Sequence, residues 1–513
     1  VGPGGRRVVT SNHLHTLHVQ GGLHAALTAG ALTGVKEDDL RRFLAGKRWF
    51  GAKGRTPTRI HIAEVAPLPL DDIQAAVACV DVQLGERIEH YQVPLIVRES
   101  GAEKSAVIDA TEDQRFRESL GRALATGSSL GGATTPRWML EPISRLPTPG
   151  SPLPARLGSA EQSNTSIIYG DAAMLKLFRR LEPGEHPDVE ITRALTTRTS
   201  FRNTPRLLGV VRYESADGWS AVAGMLQEYL PGSIDGWSYA LDRGRSYFRA
   251  PRTAQPRNEF APDAERLGRI TRELHEALAS RRDDPDFAPL TVTRADVQRW
   301  AESTRRTVQD ALTRLEERVP ALPPARAAEA RVVVRRAPEY LADASRIAGE
   351  IGEDAGERIR HHGDYHLGQV LRTTTGDFMV IDFEGEPARP LAERRERHSA
   401  LRDVAGMLRS LAYAAATLAT EQAGSLDIAT LETRSARWER DTRDAFLRGY
   451  ASKDAGGARF LPGSQNGVAR LLSLFEMEKV FYELSYELNN RPDWVWIPLR
   501  GIARLTTARR TVS

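Results

Sequence analysis

The sequence predicts an α+β protein with a β-rich N-terminal part and a mostly helical C-terminal part. Three observations carry this expectation. Apolar residues alternate or run continuously over strand-like lengths between residues 59 and 97, and again between 160 and 230. From Ile234 onward the apolar spacing is mostly helical. Within that helical part, residues 361–385 read as a turn, a short strand, a reverse turn at 374–377 and an apolar strand, with carboxylates at the hairpin's end.

A chain of 513 residues with 41% hydrophobic content is long enough for two or three units with sizeable cores. It holds no run of about twenty apolar residues, so no membrane span is expected. The net charge of +4 is small for this length, and the arginines alternate with acids along the chain. That pattern reads as a solvated surface, with neither nucleic acid nor membrane as partner. The single cysteine, Cys79, excludes an intramolecular disulfide and fits a reducing cytoplasm.

Residues 1–35 are rich in Gly, His, Thr and Ala without a strong period, and are expected to form a disordered leader. The start at Val1 suits a leader or a start inside a longer chain. A first unit is expected over 36–150. It comprises a short helix at 38–45, the segment Arg48-Trp49-Phe50 as an aromatic anchor, antiparallel strands from Arg59 to Val97 and a helix over 111–126. The Gly, Ser, Thr and Pro stretch between 126 and 154 marks its boundary.

A second unit, 151–232, opens on the polar turn Gln162-Ser163-Asn164-Thr165-Ser166, whose backbone amides can cradle phosphate as a nest. Lys176 follows among apolar residues. Either its stem packs and its head snorkels to water, or the head meets an acid or a phosphate, with Glu190 in the first turn of the next helix as the natural acid. The strand over 221–229 ends in Gln227-Glu228-Tyr229 and leaves the sheet as an extended link.

The third unit, 233–513, is expected to hold helices over 235–249, 264–280, 293–318 and 324–351, then the hairpin, then a helix from Leu401 and a last helix over 469–489. His275 reads as a surface or packing residue, and Asp403 as a brace for the loop at 361–366. Lys479, Tyr482, Glu483 and Tyr486 share adjoining strips of the last helix, as a salt-bridged face or as a surface for sugar hydroxyls.

Asp364, Gln369 and Asp382 lie where phosphoryl transfer needs them. One carboxylate takes the acceptor's proton, and an amide oxygen and a second carboxylate hold magnesium. Protein kinases write these parts as H-R-D-x-x-x-x-N and D-F-G, whereas this chain has H-G-D-x-x-x-x-Q and D-F-E. Together with Arg48-Trp49-Phe50-Gly51, Leu175-Lys176-Leu177-Phe178, Leu401-Arg402-Asp403-Val404 and Glu478-Lys479 through Trp494, these strings resemble the bacterial maltokinases from about Lys36 to the C-terminus. The likeness is greatest to the versions fused to trehalose synthase.

The resemblance implies a bilobal, protein-kinase-like fold of the aminoglycoside phosphotransferase type. In it, 36–150 would be an N-terminal cap, 151–232 the nucleotide-binding lobe and 233–513 the helical lobe. It implies ATP and Mg2+ as cofactors, maltose as substrate and trehalose synthase as partner or fusion. The product would be maltose 1-phosphate for α-glucan synthesis. By position, Asp364 would be the general base and Gln369 and Asp382 the magnesium ligands. Gln162, Ser163, Asn164, Thr165 and Ser166 would form the phosphate loop. Lys176 with Glu190 would hold the α- and β-phosphates, and Gln227, Glu228 and Tyr229 would line the adenine site. The sugar would meet Asp364, Glu384, Arg389, Lys479, Tyr482, Glu483 and Tyr486. Glucosamine or another sugar on the same fold remains an alternative acceptor, as does a non-catalytic partner of trehalose synthase.

Overall fold

The computed structural model describes residues 16–22, 25–52, 55–70, 73–100, 103–127, 130–131, 134–144, 154–158, 163–251, 253–351, 355–387, 389–452 and 458–510. They form two compact units. The chain crosses from the first to the second after Arg193, returns at Pro205 and crosses again after Pro231.

The first unit comprises β1 (Thr16–Gln20), α1 (Ala29–Thr33), α2 (Glu37–Ala45), β2 (Arg59–Leu70), β3 (Ile73–Leu84), β4 (Arg87–Ser100), β5 (Lys104–Asp109) and α3 (Gln114–Thr126). It continues with β6 (Arg137–Pro142), β7 (Ala155–Leu157), β8 (Asn164–Tyr169), β9 (Ala173–Phe178), β10 (Arg180–Leu181), the start of α4 (Pro187–Arg198), β11 (Leu207–Glu214) and β12 (Ser220–Glu228). One sheet runs β1-β5-β4-β3-β2, with β10 paired to β4, and the other runs β6-β11-β12-β9-β8-β7. The middle of β3, from Ala75 to Val80, is apolar without a break because both its faces are covered. Ala75, Val77 and Cys79 join one core, and Ala76, Ala78, Val80 and Val82 join the other. A bulge between Ile62 and Glu64 shifts β2's alternation, so Ile60 and Ile62 face one core and Ala66 and Leu68 the other.

Two expectations change here. Part of the predicted leader is ordered, since β1 pairs with β5 and buries Leu17 and Val19 beside Leu32 of α1. Its Thr-Leu-His-Val-Gln alternation is a true strand signal, hidden by the Gly- and His-rich sequence around it. A cut at residue 150 also does not separate two bodies. β6 belongs to the second sheet, β10 to the first, and Phe116, Trp138, Leu175 and Tyr213 share one core. Gln92, fully buried in β4, ties the sheets together. Its amide donates to the carbonyls of Phe178 (2.7 Å) and Ala223 (2.5 Å), and its oxygen accepts from Trp138 Nε1 at 3.0 Å.

The second unit takes the end of α4 and then β13 (Ile234–Asp235), α5 (Gly236–Arg249), α6 (Ala261–Ala279), β14 (Leu290–Thr291), α7 (Arg294–Arg318), α8 (Pro324–Arg335) and α9 (Ala337–Glu350). It ends with β15 (Glu357–Arg358), β16 (Val370–Arg372), β17 (Phe378–Val380), α10 (Leu391–Arg394), α11 (Leu401–Glu421), α12 (Ile428–Ala451), α13 (Gln465–Asn490) and α14 (Trp496–Arg510). α7 starts at a capping box between Thr293 and Asp296. The single helix expected over 324–351 is two, broken at Arg336, because Pro338 cannot donate a helical hydrogen bond and opens a new helix. α13 is not the last helix, as α14 follows it. The predicted hairpin is present. Val370 pairs with Val380, and the turn closes through Gly376 N to Thr373 O at 3.0 Å.

Candidate active site

The loop before the hairpin is held by three contacts with α11. The Asp403 carboxylate accepts the amides of His362 (2.7 Å) and Gly363 (2.9 Å). Ser410 Oγ accepts the Leu367 amide at 3.1 Å. Gly406 lets the Tyr365 carbonyl come close, since a Cβ there would stand 2.7 Å from that oxygen. Asp403 is thus a brace, as expected. Burial pushes its pKa up, but the His275 hydrogen bond and the surrounding imidazoles outweigh burial and hold it well below the carboxylate range. His275 is not a surface residue: it is fully buried and bonds Asp403 Oδ2 at 3.1 Å and the Tyr450 hydroxyl at 2.9 Å.

Asp364 opens into a pocket lined by Glu386 and Arg389 from the loop after the hairpin, by Arg402 and Asp403 of α11, and by Glu478, Lys479 and Tyr482 of α13. The Lys479 ammonium lies 3.6 Å from Asp364 and 3.5 Å from Glu386, and 5.2 Å from the centre of the Tyr482 ring. Burial lowers the lysine's pKa, and the two carboxylates more than restore it, so the group stays charged. Burial raises the Glu386 pKa, but Lys479, Arg389 and Arg402 bring it down to about 2. Arg389 donates to Glu386 at 2.7 Å. The pocket therefore alternates fixed charges of both signs around one carboxylate, a setting for orienting a polyhydroxylated molecule.

The hairpin brings Gln369 and Asp382 together: Ile381 N donates to Gln369 O at 3.0 Å, and Asp382 follows directly. Asp382 has φ 68°, the one left-handed non-glycine among the described residues, and such strain collects at functional sites. A carboxylate oxygen of Glu384 lies within 4.8 Å of one from Asp382.

In the first unit, Ser166 stands opposite Lys176 across β8 and β9, and both are buried. Lys176 has an acidic partner: its Nζ lies 3.1 Å from Asp188 Oδ2. Glu190, the acid expected there, is buried two residues further along the same first turn. Ser163 leads into β8, and Asn164, Thr165 and Ser166, expected in a polar turn, are its first strand residues, paired with Phe178, Leu177 and Lys176; Thr165 Oγ1 accepts from Arg179 at 2.8 Å. Arg179 in turn meets Asp109 and Thr111 and lies over the buried Trp49 ring, so Trp49 and Phe50 sit in the core as the expected anchor while Arg48 is exposed. Gln162 lies outside the described residues. The amides of Glu228 and Tyr229 donate to Arg206 O and Ala172 O, so these two backbone donors expected at the adenine site are used within the unit. Gln227 is paired in the sheet with Leu207 and Met174.

On α13, the predicted sugar surface divides. Glu483 sits about 40° around the helix from Lys479, while Tyr482 lies about 60° to the other side. Glu483 therefore turns to the buried Arg409 of α11, whose Nε donates to it at 2.9 Å. Gly501 of α14 leaves room for that guanidinium, since a Cβ there would be 2.7 Å from Arg409 Nη1. Glu483→Ala is expected to cost about 3–5 kcal/mol in denaturant unfolding by stranding a buried charge, with the acceptor KM within about twofold. A large KM change without loss of stability would return Glu483 to the pocket. Tyr486 lines a groove that continues the pocket past Tyr482, with Asp310 and Arg314 of α7 and Asn489 and Asn490.

Glu386, Arg402 and Glu478 were not singled out from sequence. Glu386 lies four residues beyond Asp382, and Glu478 directly precedes Lys479. Each had a positional signal that became informative only once α11 and α13 were side by side.

A model of the maltokinase N-terminal cap domain matches residues 43–120. A glucosamine kinase from Streptacidiphilus jiangxiensis is 30% identical over 354 residues, which cover 68% of this chain and 73% of that protein. A glucosamine kinase from Mycolicibacterium smegmatis is 31% identical over 344 residues, covering 66% of this chain and 76% of that protein. A solved glucosamine kinase in complex with glucosamine, ADP and inorganic phosphate has a TM-score of 0.63 at 26% identity, covering 88% of this chain and 94% of that one. Crystal form B of glucosamine kinase shares the fold, with a TM-score of 0.66 at 24% identity and coverage of 93% and 98%. Among the described residues no helix is long and apolar enough to cross a membrane. The cap match, the relatives' identity over most of both chains and the braced Asp364 loop agree: the chain belongs to the maltokinase-like kinases of the aminoglycoside phosphotransferase superfamily.

Proposed function

We propose that the protein transfers the γ-phosphoryl group of ATP to the anomeric hydroxyl of maltose, giving maltose 1-phosphate and ADP for α-glucan synthesis. Asp364 takes the hydroxyl proton as the oxygen attacks phosphorus. Lys479 and Glu386 orient the sugar beside it. Lys176, held by acids at the start of α4, grips the nucleotide phosphates, with the backbone of residues 162–166 as their cradle. Gln369 and Asp382, with Glu384 nearby, supply the oxygen donors that suit magnesium, which neutralises phosphate charge when bound. The reading includes a cytoplasmic enzyme that works with trehalose synthase as partner or fusion.

The observation that carries maltose over a single ring is the continuous surface of α13. From Lys479 past Tyr482 to Tyr486 it spans about 10 Å of helix, and the pocket and the groove share Thr307 and Tyr482. That length supports a two-ring acceptor, and the lysine beside Asp364 disfavours an ammonium-bearing one. Glucosamine is the second reading, favoured by the names of the relatives. Tyr482→Ala is expected to raise the maltose KM about tenfold, about 1.4 kcal/mol, and to leave the ATP KM unchanged. Equal effects on both KM values would make Tyr482 structural and remove the sugar surface.

A further inference from the structure

The first unit carries a cluster of donors that phosphoryl transfer does not use. Asp81 of β3 stands in register with His61 of β2 on one side and with His90 of β4 on the other. Directly opposite residues in an antiparallel sheet share a face, and so do residues two apart, which adds Cys79. The ligand atoms of Cys79, Asp81 and His90 lie within 4.8 Å of one another, and His90 Nδ1 is 2.7 Å from Asp81 Oδ1. His61 Nδ1 is out of solvent contact and makes no hydrogen bond among the described residues. The Trp219 ring covers His90 at 5.1 Å between centres.

We propose that His61, Cys79, Asp81 and His90 form a binding site for a divalent cation of the zinc class. One sulfur, two imidazoles and one carboxylate are the donor set that zinc prefers over magnesium or calcium. Bond lengths of about 2.0–2.3 Å place tetrahedral donors roughly 3.5 Å apart. The Cys79, Asp81 and His90 atoms, already within 4.8 Å of one another, draw together to meet this, and His61 turns in from its place opposite Asp81 as the fourth ligand. The cation takes the place of the Asp81–His90 contact and gives the His61 nitrogen a partner. The Cys79 thiol gives its proton to the buffer on binding. Glu64, opposite Cys79 after the β2 bulge, is not a ligand. It already accepts from the Tyr213 hydroxyl (2.8 Å), Ser215 Oγ (2.6 Å) and the Ala216 amide (3.3 Å). Its charge adds to the negative field at the cluster. A cation here fastens three neighbouring strands at one point, well away in sequence from every residue assigned to catalysis, and so its role is to stabilise the first unit.

The test uses the full chain, stripped with a chelator and titrated with Co2+ as a spectroscopic probe and then with Zn2+. The wild type is expected to bind about one Co2+ with a thiolate-to-metal charge-transfer band, which Zn2+ abolishes and Mg2+ does not. Zinc binding should also raise the melting temperature. Cys79→Ser should remove the band, and His61→Gln, Asp81→Asn and His90→Gln should each weaken zinc at least about tenfold in variants whose circular dichroism matches the wild type. No cobalt band in the wild type overturns the proposal and needs no variant to be folded. A band unchanged by Asp81→Asn and His90→Gln overturns it too, since a lone thiol would then be the whole site.

Discussion

Asp364→Asn should lower kcat by about 10²–10⁴-fold, the range over which a positioned general base contributes, while nucleotide affinity stays near that of the wild type. The amide keeps the size of the side chain and its place opposite Lys479, 3.6 Å away, but cannot take a proton. Loss of the carboxylate also leaves the lysine with Glu386 as its remaining close acid in the pocket. The acceptor KM should therefore move less than kcat. A variant turning over near the wild-type rate would remove Asp364 as the base and leave the pocket as a binding site alone.

Asp403→Ala should damage both stability and turnover. The buried carboxylate accepts two loop amides and the His275 ring, and each buried donor left without an acceptor costs about 1–3 kcal/mol. The total, on the order of 4 kcal/mol, is a large part of the 5–15 kcal/mol that holds a typical domain. Because the amides at stake are those of His362 and Gly363, directly before Asp364, the loss should appear as a lower kcat in whatever fraction remains folded. Denaturant unfolding and single-turnover rates measure the two effects separately. A stable variant with wild-type turnover would show that α11 does not brace the loop.

The hairpin over 370–380 was legible because its information is local. Turn residues at 374–377 and two short apolar strands dictate that Gln369 comes beside Ile381 and Asp382, whatever surrounds them. Lys176 was legible for a similar reason, as an ammonium among apolar residues needs a partner. What the spacing did not single out is that Asp188, in the same first turn of α4 as Glu190, also meets it, at 3.1 Å. What spacing could not convey is which neighbour claims a side chain. Glu483 and Tyr482 are adjacent in sequence and both suit a sugar, but α11 sets Arg409 beside one, and the pocket takes the other. β1 was hidden for a different reason. Five alternating residues are a weak signal until β5 offers them an edge. The amides of Glu228 and Tyr229 likewise depend on partners, Arg206 and Ala172, that are distant in sequence.

The central claim is the identity of the acceptor, and a phosphorylation assay on a panel of sugars with Mg-ATP tests it most directly. The panel holds maltose, glucose, glucosamine and an aminoglycoside, with ADP release and loss of reducing ends both followed. ATP-dependent loss of reducing ends from maltose, with little turnover of the single-ring sugars, is the predicted result. Turnover of glucosamine in preference to maltose would contradict the account, retaining the kinase but reassigning the surface of α13.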